Sequence, residues 1–190
     1  MQAFEVFFKN ILNDIKVELS EEFDKNFERK AFFDQQWADT KWAVNKGSLM
    51  LRTGAGRRSI MATIEGGQIV WRSSLPYMGI HNDGGEIEVT AKMKKFFWAM
   101  FYKASNAVTF KVKTREASAN KRNEKLTAEA AIWKSLALMK VGEKIKIPKR
   151  QFIGDHPVVD ASIKKIVDAN AKELHSSLLN VFKPDNFKHD

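Results

Sequence analysis

The sequence contains no cysteine, which excludes disulfide frameworks, thiolate zinc sites and cysteine nucleophiles together. Long apolar runs are also missing. The longest, Phe96 to Tyr102, falls far short of the roughly 18 residues a membrane span needs, so no membrane partner is expected. Four prolines and ten glycines are spread over 190 residues, and no repeat, heptad array or Gly/Ser linker divides the chain. One α+β domain over 1–190 is the simplest parse. The amino terminus carries Glu5, Asp14, Glu18, Glu21 and Glu22 and lacks a basic n-region, so it does not read as a signal peptide. The expectation is a soluble chain made in the cytosol.

Catalytic groupings are scarce as well. His81, His156, His175 and His189 have no metal-motif spacing. His81-Asn82-Asp83 lacks the second histidine of metal-dependent nucleases, and His156, between a turn and Pro157, suits a capping role. No Gly-x-Ser-x-Gly occurs. Thr53-Gly54-Ala55-Gly56-Arg57-Arg58 tempts as a phosphate cradle but departs from the P-loop pattern after the second glycine. No enzyme activity, metal or cofactor is expected.

Aromatics, by contrast, are abundant: 14 Phe and five Trp favour extensive packing or interface surface. Phe4, Phe8, Ile11, Leu12, Ile15, Leu19, Phe23 and Phe27 recur at helical steps and predict a helix over about 3–28. Residues 31–46 read as a loop pinning Phe32, Phe33, Trp37 and Trp42. Thr53 is the candidate N-cap of a basic turn. Gly66-Gly67 between alternating segments predicts a hairpin. Pro76–His81 reads as one helical turn with Pro near its start, followed by a strand at 86–90. Thr90 is placed to cap a helix with Met93, Phe96, Phe97, Met100 and Phe101 on its apolar face. A helix from about 127, a short strand at Ile145 and Ile147, and a last helix over about 157–182 complete the pattern. The expected architecture is a small antiparallel sheet packed by long N- and C-terminal helices, with a basic extended loop or arm over 103–126 and a polar tail at 185–190.

Charge is concentrated in one place. Residues 92–150 hold 16 Lys/Arg against four acids, while the whole chain carries only +9. Such asymmetry points to a polyanion or an acidic protein surface, or to a solvated basic excursion. Lysines mixed with Phe97, Trp98, Tyr102, Phe110 and Trp133 suit nonspecific phosphate contact. No helix-turn-helix, RNA-recognition or zinc-finger signature supports sequence reading.

Three blocks in order, Arg52-Thr53-Gly54-Ala55-Gly56-Arg57-Arg58-Ser59-Ile60, then Tyr77…Ile80-His81-Asn82-Asp83-Gly84-Gly85, then Ile147-Pro148-Lys149-Arg150-Gln151-Phe152-Ile153-Gly154, give a resemblance over about 50–182. The chain resembles the phage virion morphogenesis family, which includes Mu-like tail completion proteins. It departs from that pattern at Gly56, where the family more often has leucine, and in the basic insertion at 103–140. The resemblance implies a non-enzymatic virion protein at the tail–head junction, forming a ring of its own copies beside other tail and neck proteins. A basic ring face would suit passing DNA. On this reading Arg52, Arg57, Arg58, Lys149 and Arg150 lie on assembly surfaces, and Lys111, Lys113, Arg115, Lys121 and Arg122 contact a neighbour or DNA. The alternative for each arginine is bracing a local carboxylate, and the alternative for the whole chain is a stand-alone nucleic-acid-binding protein.

Overall fold

The computed structural model describes residues 2–39 and 49–181. Trp42 and the tail 185–190 lie outside the described residues. The fold is α+β. Its contacts divide the chain into two compact units, one from residues 1–36, 54–76 and 151–190, the other from 37–53 and 77–150.

The first unit is organised by two long helices, α1 (Gln2–Arg29) and α6 (Pro157–Val181). The apolar stripe of α1 buries Ile11, Ile15, Leu19 and Phe23 with Phe32 and Val159, and Ile163 and Ile166 of α6 pack against them. The two helices run antiparallel, and Asn170 Nδ2 on α6 donates to Asp14 on α1 at 3.1 Å. Between them in sequence come β1 (Ala31–Phe32), β2 (Gln35–Gln36), a four-residue helical turn α2 (Ala55–Arg58), β3 (Ile60–Glu65) and β4 (Gln68–Ser73). The expected loop after α1 therefore includes a minimal β1–β2 ladder. The β3–β4 hairpin pairs Ile60 with Ser73 through Glu65 with Gln68. Gly66 and Gly67 both adopt positive φ, 57° and 80°, as a two-residue turn matched to strand twist requires. Alternation along β3 turns Ile60, Ala62 and Ile64 inward. Trp71 of β4 sits edge-on to Phe23 at 5.3 Å and donates its indole N–H to Ser20 Oγ at 3.2 Å.

The second unit holds α3 (Met78–Asp83), β5 (Gly85–Glu88), α4 (Ala91–Asn106), α5 (Lys121–Leu138) and β6 (Lys144–Ile147). Helices α4 and α5 form a hairpin whose core is Phe97, Leu136 and Ala137, with Met93, Trp98, Trp133, Met139 and Ile145 against it. Thr90 caps α4 as expected, its hydroxyl accepting from the Met93 amide at 3.2 Å. Strands β5 and β6 are antiparallel, Gly85 opposite Ile147 and Glu88 opposite Lys144. Among the described residues the strands thus form three separate two-stranded ladders.

Three local expectations change. The N-cap of α2 is Gly54, in the left-handed region at φ 68°, not Thr53; the chain enters α2 through a turn that places residue 54 at the boundary. Pro76 precedes the Tyr77 N-cap of α3 instead of lying inside its first turn. The basic segment 103–126 is helical at both ends. Helix α4 continues to Asn106 and α5 starts at Lys121, six residues before Thr127, because Asn120 caps it by accepting from the Asn123 amide at 2.8 Å. Only 107–120 is non-helical, and it turns back on itself: Phe110 bridges Ala117, the Lys111 amide donates to Glu116 O at 2.8 Å, and the Ser118 amide donates to Thr109 O at 2.9 Å.

Candidate functional site

Three of the ten cationic candidates lie in or near the first block. Arg57 turns toward α1, where its guanidinium grips Asp24 with two parallel hydrogen bonds and reaches Glu28 Oε1 at 2.8 Å. The Asp24 hydrogen bonds, with those to Glu28, hold Arg57 in its charged form even more firmly than usual. Asp24 and Glu28 are one helical turn apart, so Arg57 also relieves a like-charge pair. Arg57 thus braces α1, the alternative left open for each arginine, with α2 delivering the side chain. Arg58 and Arg52 are exposed. Replacing Arg57 by alanine is expected to lower stability by about 1–2 kcal/mol, from a partly exposed bidentate pair and the repulsion it leaves behind. Arg52→Ala should stay within about 0.5 kcal/mol; urea unfolding of both variants measures the difference.

The second and third blocks meet inside the second unit. The Arg150 amide donates to His81 O at 2.8 Å. Gly84, at φ 76°, leaves little room for a side chain, since a Cβ there would lie 3.0 Å from the Lys149 amide nitrogen. Lys149 presents its own side chain outward. Arg150 does not: it is 7% exposed, and its Nε and Nη2 both donate to Ala38 O at 3.4 Å. Burial pulls its affinity for the proton below the usual arginine range. His81 is pushed down by burial and then by the Arg150 charge, and its Nδ1 is buried without a hydrogen-bond partner. Burial and the neighbouring Arg150 charge thus both favour the neutral imidazole of His81.

The rest of the third block belongs to the first unit. Phe152 is buried against Phe27, ring centroids 5.0 Å apart, and its carbonyl accepts from Asn26 Nδ2 at 3.1 Å. Asn26, fully buried, also takes the Phe33 amide on Oδ1 at 3.0 Å. His156 fulfils the capping role: Nδ1 accepts from the Val158 amide at 3.3 Å, Nε2 lies 2.9 Å from Asp34, and the ring stacks on Phe33. That geometry fixes the tautomer with its proton on Nε2.

No grouping of three or more His, Asp or Glu able to hold a metal occurs among the described residues. A cleft of about 130 Å³ lies beside the brace, lined by Ser20, Phe23, Asp24, Arg57, Ala62 and Trp71, below the ~300 Å³ at which small-molecule sites begin. No helix among the described residues is long and apolar enough to cross a membrane.

The remaining candidates, Lys111, Lys113, Arg115, Lys121 and Arg122, are all exposed and come together at the end of the α4–α5 hairpin. Sequence reasoning missed Asn123 there. It is buried on α5, and its Nδ2 donates to Thr109 O at 2.8 Å and Ser118 O at 2.7 Å. Its Oδ1 accepts from the Thr109 amide at 3.1 Å and hydroxyl at 3.2 Å. One side chain thus ties both arms of the connecting turn to α5. No protein-family model, no curated protein and no solved structure matches the chain.

Proposed function

We propose that the chain is a structural virion protein of a tailed phage or prophage, acting in tail completion and head–tail joining as a ring-forming subunit. The resemblance of the three ordered blocks directs the reading to the tail–head junction. The residues of those blocks serve to hold the fold: Arg57 braces α1, Arg150 is buried against Ala38, and Phe152 anchors on Asn26 and Phe27.

The observation that carries the assembly part is an apolar stripe that outruns its own core. Beyond Ile11 and Ile166 the stripe continues into Phe4 of α1, 70% exposed, and into Leu174 and Leu178 of α6, the latter 48% exposed. Large apolar groups continuous with a core and left to water mark a surface completed by another chain. The second reading, a stand-alone basic nucleic-acid-binding protein, draws on the charge of residues 92–150 and does not account for this stripe.

Sedimentation of the purified chain is expected to show a closed oligomer. Phe4→Asp combined with Leu178→Asp should reduce it to monomers of unchanged helical content. Induction of a prophage lacking the chain should yield unjoined heads and tails. A wild-type chain that stays monomeric at its highest attainable concentration overturns the ring, and intact virions from the deletion overturn the junction role.

A further inference from the structure

The end of the α4–α5 hairpin collects cations from three consecutive pieces of chain. Lys103 lies in the last turn of α4, Lys111, Lys113 and Arg115 on the connecting turn, and Lys121, Arg122 and Lys125 in the first two turns of α5. Two carboxylates, Glu116 and Glu124, fall in the same stretch. Among the described residues none of these seven cations forms an ion pair. Two features show that the arrangement works against local stability. Lys121 and Arg122 open a helix whose N-terminal dipole disfavours cations. Arg115 occupies the left-handed region at φ 55°, a conformation that costs a non-glycine residue about 1–2 kcal/mol. The Asn123 staple and the Phe110–Ala117 bridge hold this end in one shape, so little ordering remains to be done on binding.

We infer that this end of the hairpin is a preorganised cationic finger that contacts the phosphate backbone of duplex DNA without reading its sequence. The inference does not depend on the ring. Its charge complements a phosphodiester, and flexible lysine stems recognise charge in preference to base edges. Protein–protein interfaces are depleted in lysine, whereas protein–DNA interfaces are strongly positive. The positive end of the α5 dipole adds to the same field. Phe110 and Val112, exposed at the same end, would suit an acidic protein surface instead, and the experiment separates the two.

Fluorescence anisotropy of the full chain with two unrelated duplexes of roughly 30 bp, at salt from about 50 mM upward, gives affinity and its salt slope. Both duplexes should bind alike. Lys111→Glu, Lys113→Glu and Lys121→Glu together should weaken binding at least about tenfold and reduce the log–log salt slope by about 2.7, three phosphate contacts' worth. The milder Lys111→Gln, Lys113→Gln, Lys121→Gln variant should show the same slope change if the glutamates disturb folding. The control of equal charge change, Lys164→Glu, Lys165→Glu, Lys172→Glu on α6, should bind almost as wild type. Equal losses in finger and α6 variants would overturn the inference in favour of bulk charge. No binding at about 50 mM salt would overturn it too and leave an acidic protein as the occupant.

Discussion

Asn26→Leu is expected to cost about 3–4 kcal/mol and to lower the melting temperature by about 10 °C, given roughly 2–4 °C per kcal/mol at this chain length. Leucine keeps the branching of asparagine but is bulkier, so the lost hydrogen bonds dominate and some overpacking adds to them. The Phe152 carbonyl and the Phe33 amide would both lose their partner at a fully buried position, and each unsatisfied buried group costs about 1–3 kcal/mol. Asn26→Asp keeps the acceptor for Phe33 but removes the donor and buries a charge, so it should be at least as damaging. Urea denaturation reads both. A loss under about 1 kcal/mol for the leucine variant would mean that Phe152 and Phe33 are held by apolar packing alone.

Asn123→Leu should be nearly as severe but more local. Four hydrogen bonds from one side chain disappear, leaving the Thr109 amide and carbonyl and the Ser118 carbonyl without it. A destabilisation of about 3 kcal/mol is expected. Hydrogen exchange should show it as lost protection at Ser118 and Lys111, whose amides close the connecting turn, while the Met93 amide at the α4 cap changes little. Asn120→Ala supplies the comparison: it removes only the cap of α5, worth about 1 kcal/mol. Because Asn123→Leu leaves every cation in place, it also tests preorganisation: DNA affinity should fall with the salt slope unchanged. Unaltered protection at Ser118 would show that the bridge at Phe110 holds the turn without Asn123.

What the sequence made legible was whatever local pattern controls. Helices α1 and α6 announce themselves by long apolar stripes, the β3–β4 turn by its glycine pair, and α4 by Thr90. Periodicity places the start of α5 six residues late because its first turns contain only Leu126 as a large apolar residue, so the pattern begins after the helix does. Asn120, followed by Glu124 in the first turn, was the available signal. The roles of Arg57 and Arg150 could not be read in this way. Their partners are 33 and 112 residues away, and nothing in a basic tripeptide tells whether a guanidinium faces water or a carboxylate. Asn26 and Asn123 were missed for a related reason, since one polar residue on an apolar face looks like an interruption. Asn26 sits three residues after Phe23 and beside Phe27, and a polar group at that place on a stripe must find buried partners.

The division of the chain into units carries a consequence for how this protein can change over generations. All of α3 through β6 comes from one uninterrupted stretch, and its ladder and helix-hairpin partners lie inside that stretch. The frame of α1, the β3–β4 hairpin and α6 is held by contacts of its own. Lengthening, shortening or recharging the turn between α4 and α5 touches none of those frame contacts. Selection can therefore retune what the finger meets while the scaffold keeps its sequence, so variation among descendants should gather in residues 107–122 and spare Asn26, Arg57 and Phe152.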